Sequence, residues 1–222
     1  MTRYFIGAIL VLCTFSVSAQ KPVFDQPNYK KISKAISKES ASTFYPRLMK
    51  RFLANDTTLS PDEYHLLYYG YSLQPEYSPN TYLASADSLM SLIRKEQLAP
   101  EQFDLVIKYA NATLEKNPFD MRYLDPLIYV YRMQGNNTLA DKLEFKLGRI
   151  IETLFSTGDG LTKETAFHVI SAAHEHDLLR ALGFGNAGGQ RLTVGEYDFL
   201  KVEANDYGIE GMYFNISAMQ KK

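Results

Sequence analysis

Apolar residues recur every three or four positions through the first two-thirds of this chain, and this spacing predicts helices. Segment 29–36 has one apolar face and one face that is rich in lysine. The clearest helix start lies at Ser60, which can cap the helix, because a proline follows it and Glu63 can close a capping box. Seven short helices joined by short loops are predicted in this region, and the last of them covers 137–155.

Part of this helical region has the spacing of a tetratricopeptide hairpin. Tyr131, Gly135 and Ala140 stand where that repeat has its helix-A aromatic residue, its turn glycine and its small helix-B residue. The pair Asn117-Pro118 resembles the closing proline of the repeat, and only a single unit shows this resemblance. Because a small residue allows two helices to approach closely, we predict a mainly α fold of stacked, tetratricopeptide-like helical hairpins.

The pattern changes from helical to alternating near Gly158, and this change predicts strands in the C-terminal region. Three strands and one short helix are predicted there, over 165–171, 197–203, 212–217 and 174–182. A region of this size is marginally stable alone, so we expect it to pack on the helices. The predicted parts of the chain are a signal peptide, a helical hairpin domain and a small α+β tail, over 1–19, 20–157 and 158–222.

The N-terminus of the chain indicates export. Arg3 provides a basic start, an apolar run covers 4–17, and Val17-Ser18-Ala19 places small residues where a signal peptidase cleaves. The apolar run is too short to span a bilayer comfortably. We therefore expect a protein of the periplasm or the extracellular space, with no integral membrane segment after cleavage.

Charge and composition narrow the classes of function. The chain has 24 basic and 25 acidic residues, a formal net charge of −1 and no basic stripe, which argues against nucleic acid or an anionic membrane as the partner. The only cysteine, Cys13, lies in the predicted signal, so the mature chain would have neither a disulfide nor a thiol nucleophile. A lipid-anchored start at Cys13 is the alternative, and Leu12 disfavours it because that chemistry needs a small residue there.

The cluster Tyr68-Tyr69-Gly70-Tyr71, followed by Tyr77, is the best candidate for a recognition surface. Glycine inside or at the end of a helix costs stability, so Gly70 would allow another backbone or a ligand to approach closely. In the alternative interpretation, the tyrosines form a core seam between hairpins. We predict that Tyr68, Tyr69, Tyr71 and Tyr77 bind the partner.

The segment His174-Glu175-His176-Asp177 is the sharpest local cluster of titratable residues, and His168 lies nearby. Histidines two positions apart can share a metal on a strand, but on a helix they point about 200° apart, which is poor for chelation. In the alternative interpretation, the two carboxylates favour the helix dipole and the histidines face solvent. His168, His174 and His176 are the candidate ligands should a metal bind, although we predict neither a metal nor a cofactor.

Segment 183–188 matches a dinucleotide-binding fingerprint literally, but its context differs from that of a binding site. The fingerprint works between a strand and a helix, and here a predicted helix precedes the glycines. We therefore expect a flexible loop over 183–189. The chain also lacks the Gly-x-Ser-x-Gly elbow and the His-Glu-x-x-His helix of known hydrolases.

Three strings in the chain carry a resemblance to a known family. They are Leu67-Tyr68-Tyr69-Gly70-Tyr71, then GDGLTKETAF over 158–167, and Tyr197-Asp198-Phe199-Leu200 with GMYFN over 211–215. Together with the Ser-Ala-Gln ending of the predicted signal, they make the chain similar to an exported family of Bacteroidetes proteins catalogued as a domain of unknown function. The resemblance spans most of the mature chain. It implies export from a Gram-negative cell and supplies no catalytic or binding residues.

We expect a non-catalytic interaction protein of the cell envelope that binds a protein or a peptide. Stacked helical hairpins tend to create concave grooves, and no catalytic signature is present in the sequence. Two alternatives stay open. One is an envelope hydrolase whose unrecognised site, with or without a metal, lies near His168, His174 and His176, and the other is a purely structural envelope protein.

Overall fold

Helices make up most of the molecule, and a small sheet lies at its C-terminal end. The computed structural model describes residues 23–79, 84–93 and 98–221, so the predicted signal peptide lies outside the described residues. The helices are α1 (Tyr29–Ile36), α2 (Tyr45–Leu53), α3 (Pro61–Tyr71), α4 (Ala84–Ile93), α5 (Phe103–Lys116), α6 (Leu124–Met133), α7 (Asn137–Phe155) and α8 (Ala172–Ala181). The strands are β1 (Phe167–His168), β2 (Asn186–Val194), β3 (Tyr197–Val202) and β4 (Gly211–Asn215). None of the described helices is both long and apolar enough to cross a membrane.

Local sequence signals determine several helix ends. The predicted capping box of α3 is confirmed, because Ser60 Oγ accepts from the Glu63 amide at 3.2 Å and Glu63 Oε2 accepts from the Ser60 amide at 2.8 Å. The Asn136 side chain caps α7, whose bounds match the prediction over 137–155. Gly135 has the positive φ of 76° that the tight turn between α6 and α7 requires. The mainly α fold class is therefore confirmed.

Helix α3 lies at the centre of the helical region. Helices α1, α2 and α7 pack against it, and Leu67, Tyr68 and Tyr69 on α3 are entirely buried. The pairs α4–α5 and α6–α7 are packed neighbours in sequence, and α5 also packs on α6. Helix α7 contacts α8 and β1 as well, so it links the helical region to the C-terminal region. One hydrophobic core includes residues of both regions.

The sheet has the strand order β1-β4-β3-β2, with β1 and β4 parallel and the other two pairings antiparallel. The predicted strand over 165–171 is shortened to the two residues of β1, whereas β3 and β4 lie close to their predicted positions. The loop expected over 183–189 is wrong in its second half, because β2 begins at Asn186. This stretch is rich in glycine and lacks the alternating apolar residues that predict a strand.

The turn after α7 depends on a glycine at a close approach of two backbone segments. A Cβ atom on Gly158 would lie 2.1 Å from the carbonyl oxygen of Thr165, which is closer than side chains tolerate. The amides of Asp159 and Gly160 both donate to that oxygen, at 3.0 and 2.8 Å. The turn returns the chain to α7, so that β1 and α8 pack there and meet side chains of α3.

Candidate functional site

The four tyrosines predicted to bind a partner lie in the protein interior. Tyr68, Tyr69, Tyr71 and Tyr77 are 0, 0, 8 and 4% exposed. Their rings therefore do not form an exposed recognition surface, and their position corresponds to the alternative interpretation of a core seam. The seam differs from that alternative in one respect, because Tyr68, Tyr69 and Tyr77 bond the C-terminal region. Tyr71 Oη instead donates to the carbonyl oxygen of Lys116 at the end of α5, at 2.9 Å.

Hydroxyl groups of this tyrosine seam (Tyr68, Tyr69 and Tyr77) hold the segment between β1 and α8. Tyr69 donates to the carbonyl oxygen of His168 at 3.0 Å, and Tyr77 donates to that of Ile170 at 2.7 Å. Burial raises the pKa of Tyr69 well above its ordinary value, so the hydroxyl remains a donor. The tyrosines therefore have a structural role in joining two parts of the chain that are distant in sequence.

Gly70 allows a close approach, as the sequence predicts, but the approaching groups belong to this chain. A Cβ atom at Gly70 would lie 2.9 Å from Ile36 Cδ1 and 3.2 Å from Tyr45 Cε2. Ile36 ends α1 and Tyr45 begins α2, so the missing side chain lets both helices pack closely on α3. The glycine thus serves the packing of three helices.

His174 is a buried and neutral neighbour of the tyrosine seam. Its Nδ1 lies 2.6 Å from Tyr68 Oη, and the Ile170 amide donates to the same hydroxyl at 3.3 Å. The other ring nitrogen donates to the backbone of Phe119. In the neutral imidazole, Nδ1 therefore carries no proton and accepts from the Tyr68 hydroxyl. Burial lowers the pKa of His174 to about 4. The expectation that this histidine faces solvent is therefore wrong.

The other two candidate histidines occupy different environments. His176 is exposed, and its Nδ1 lies 3.3 Å from the side-chain nitrogen of Asn186. The side chain of His168 is mostly buried, and burial lowers its pKa to about 4. Within the described ranges, no group of three or more possible metal ligands lies together. The three histidines therefore do not form the metal site that the hydrolase alternative would need in its metal-dependent form.

Two carboxylates that are distant in sequence meet where α8 packs near the sheet. Glu175 and Asp198 are almost completely buried, and both contact the guanidinium of Arg191, at 2.6 Å for Glu175 Oε1. Burial raises the pKa of Glu175 to about 8, while Arg191 opposes this rise and Asp198 adds to it. Burial therefore favours the protonated form of Glu175. Because both carboxyl groups are buried, this cluster connects α8 with β2 and β3 and does not present acids to a substrate.

An isolated buried charge lies on α7, at Lys146. Only 6% of this residue is exposed, and no described carboxylate forms an ion pair with it. Its Nζ lies 4.3 Å from the centre of the Phe52 ring, which provides a cation–π contact. Burial lowers the pKa of Lys146 to about 8, so most of the ammonium remains protonated at pH 7. This charge is thus stabilised by an aromatic face and has no anionic partner in the described chain.

Lys146 lines a partly enclosed cavity of about 270 Å³, which we name the Lys146 cavity. Its walls come from α2, α5, α6 and α7 and consist mainly of leucines and the rings of Phe52 and Tyr131. Asn55 is one of its few polar lining residues, and Asn55 Oδ1 is buried with no hydrogen-bond partner among the described atoms. Two polar side chains with unused bonding capacity therefore border one mainly apolar space.

A larger groove of about 620 Å³ adjoins this cavity, and we name it the α2 groove. It is bordered by α2 and by the C-terminal ends of α3 and α5. Leu53, Glu115 and Pro118 line both spaces, and Leu53 is 57% exposed at their junction. An extended ligand could therefore occupy the cavity with one end and the groove with the rest.

The sequence itself indicates that Lys146 is buried, although the apolar residues around it draw attention away from the lysine. Leu139, Leu143 and Ile150 lie on one face of α7, and Lys146 falls on that face because it follows Leu143 by three positions and precedes Ile150 by four. A lysine inside a buried stripe is unusual, since its ammonium loses hydration. The spacing identifies the buried charge, but the rest of the cavity comes from three other helices and cannot be read from α7 alone.

These features define a mainly helical protein with a small C-terminal sheet and a cavity among its helices. The chain belongs to the DUF4919 family, described as a domain of unknown function, whose family model matches residues 30–222. The resemblance to a family of unknown function is thereby confirmed. No curated protein and no solved structure matches the chain.

Proposed function

We propose that this protein is an exported, non-catalytic binding module of the cell envelope, which holds a peptide segment of a partner protein in the Lys146 cavity and the α2 groove. One observation carries the proposal: a buried ammonium without an anionic partner in the described chain borders an apolar space that adjoins a more open groove. Ligand sites are commonly concave and apolar, with a few polar groups that fix orientation. The Lys146 cavity has this composition.

Export is supported by the N-terminal sequence. The apolar run over 4–17 and the small residues at Val17-Ser18-Ala19 have the pattern of a cleaved signal. The three strings that resemble the exported family of Bacteroidetes proteins support an origin in that group. We propose that the mature protein acts in the periplasm or outside the cell.

The tetratricopeptide-like stacking also belongs to this proposal. It is supported at α6 and α7, where Gly135 forms the turn and Ala140 is fully buried as the two helices pack. Helices α5, α6 and α7 supply three of the cavity walls. Helical repeats of this kind bind extended segments on their concave surfaces, which agrees with a peptide as the ligand.

Selection from a random peptide library with free C-termini tests the proposed function, followed by affinity measurements on the selected peptides. Leu53→Arg should weaken their binding by at least about tenfold, because it places a long charged side chain at the junction of cavity and groove. Tyr207→Arg is the matched control, since Tyr207 is 80% exposed and lines neither space. Failure to select any peptide, or equal binding to Leu53→Arg and wild type, would overturn the proposal.

A further inference from the structure

We infer that the Lys146 cavity receives the C-terminal residue of the bound peptide, with the terminal carboxylate on Lys146 Nζ and an apolar side chain among the leucines. The inference rests on the proposed function and specifies which part of the peptide enters the cavity. It is argued from charge, from hydrogen-bonding capacity and from size.

The charge of the cavity favours an anionic group. Leaving an ammonium buried without an anion is unfavourable, and a carboxylate placed beside it forms a charge-assisted hydrogen bond. Phe52 contacts the ammonium through its ring face. Nζ is not among the fully enclosed unpartnered atoms of the described chain, so its donors reach the open space of the cavity. Glu115 lines the cavity as well, but it is exposed, and among the described residues no ion pair joins it to Lys146. The incoming ligand would therefore supply the missing carboxylate.

The carboxamide of Asn55 distinguishes a peptide from a simple fatty acid. Its Oδ1 is enclosed and lacks a partner in the described chain. A half-turn of the amide group exchanges oxygen and nitrogen and brings the oxygen to the side that a ligand can reach. A C-terminal residue carries a backbone N–H next to its carboxylate and can pair with a carboxamide oxygen. A fatty acid has no such donor. The combination of Lys146 with Asn55 therefore suits a peptide terminus.

The size of the cavity matches one terminal residue. A volume of about 270 Å³ holds roughly nine groups of the size of water, which is about the number of non-hydrogen atoms in a C-terminal leucine. The preceding residues would leave past Leu53 into the α2 groove, since this residue lines both spaces. A chain end suits this arrangement, because the cavity holds about one residue and opens toward the groove at Leu53.

Three probes test the inference by isothermal titration calorimetry: the peptide acetyl-Gly-Leu-Leu as a free acid, the same peptide as a C-terminal amide, and decanoate. Wild type should bind the acid at least about tenfold more tightly than the amide, since a hydrogen bond to a charged group contributes that much or more. Lys146→Met should remove this preference while keeping the aliphatic chain. The control Lys142→Met, an exposed lysine of the same helix, should keep it.

Asn55→Gly provides an independent test of the carboxamide. Glycine tolerates the positive φ of 55° at this position, so the variant removes the side chain without backbone strain. We expect weaker binding of the peptide acid, by about three- to tenfold, and unchanged binding of decanoate.

The outcomes separate this inference from the proposed function. If acid and amide bind equally well to wild type, the peptide site stands and the terminal carboxylate is wrong. If Lys146→Met keeps the preference for the acid, Lys146 is not the anchor. If decanoate binds through Lys146 and the peptide acid does not, the occupant is a fatty acid and the inference is overturned. Binding of none of the three probes would also overturn it, whereas the library selection decides the proposed function by itself.

Discussion

The tyrosine seam and the Lys146 cavity both contain buried polar groups, but these groups have hydrogen-bond partners only in the seam. In the seam, the hydroxyls of Tyr69 and Tyr77 donate to backbone carbonyls, and Tyr68 bonds His174. The small cavity that His174 lines has a volume of only about 30 Å³. In the Lys146 cavity, the ammonium has no anionic partner in the described chain, and the open space is about 270 Å³.

This difference teaches how to separate structural polar residues from candidate ligand contacts. A buried polar group that has its partner contributes to stability, and removing it leaves that partner unsatisfied. A buried charge without a partner is unfavourable, so removing it should help the fold. The same kind of substitution is therefore expected to have opposite effects in the two regions. The largest and the smallest of the three effects below test this contrast directly, and the intermediate one concerns a third buried polar group, Glu175.

The largest effect is expected in the tyrosine seam. Tyr68→Phe removes one hydroxyl and leaves both His174 Nδ1 and the Ile170 amide without their partner. The free energy of unfolding should fall by about 2–4 kcal/mol in chemical denaturation. The control Tyr207→Phe changes an exposed ring and should alter it by less than about 0.5 kcal/mol. A loss of similar size in both variants would show that the seam is no more than ordinary packing.

An intermediate effect on the free energy of unfolding is expected when the pH rises and Glu175 loses its proton. Because burial raises its pKa to about 8 in the folded protein, this group stabilises the fold fully below its ordinary pKa, and that contribution is lost as the pH rises toward 8. Glu175→Gln mimics the protonated form. Between pH 6.5 and 8, wild type should lose about 1–2 kcal/mol relative to this variant.

The pH experiment compares wild type with Glu175→Gln and with the control Glu196→Gln, so that other titrating groups cancel. Asp177, whose pKa burial raises to about 7, titrates in this window in every protein and cancels in the difference. Arg191 and Asp198, the charged groups that face Glu175, are also common to all of them. Glu196→Gln, at an exposed glutamate, should follow wild type. A constant difference between Glu175→Gln and wild type over this range would refute the assignment of a bound proton to Glu175.

The smallest effect is expected at the Lys146 cavity, and its sign is opposite. Lys146→Met replaces a buried ammonium by an apolar chain of similar length, so the free energy of unfolding should rise by about 1 kcal/mol. Lys142→Met, on the exposed side of α7, should change it by less than about 0.5 kcal/mol. A clear loss of stability in Lys146→Met would mean that the cation–π contact with Phe52 outweighs the cost of burial.

The sequence predicts best the features that depend on neighbouring residues. Ser60 with Glu63 and the helix over 137–155 are confirmed because capping and helical periodicity act within a few positions. The partner of Tyr68 could not be predicted, since His174 follows it by 106 positions. Strand β2 was missed because its glycines carry no alternating pattern and its pairing comes from β3.

The candidate site shows the same limit. The apolar spacing of α7 contains the signal for a buried lysine, as Lys146 falls on the face of Leu143 and Ile150. The cavity itself is made by four helices from separate parts of the chain, so its volume and the position of Asn55 emerge only after packing. Sequence patterns therefore identify the unusual residue, and the fold identifies what surrounds it.

The parallel pairing of β1 with β4 has a consequence for the order of folding. Residues up to Asn215 must be available before β1 finds its neighbour, and the tyrosine seam needs the segment between β1 and α8 in place. During synthesis from the N-terminus, helix α3 therefore stays incompletely covered until the chain is available through Asn215.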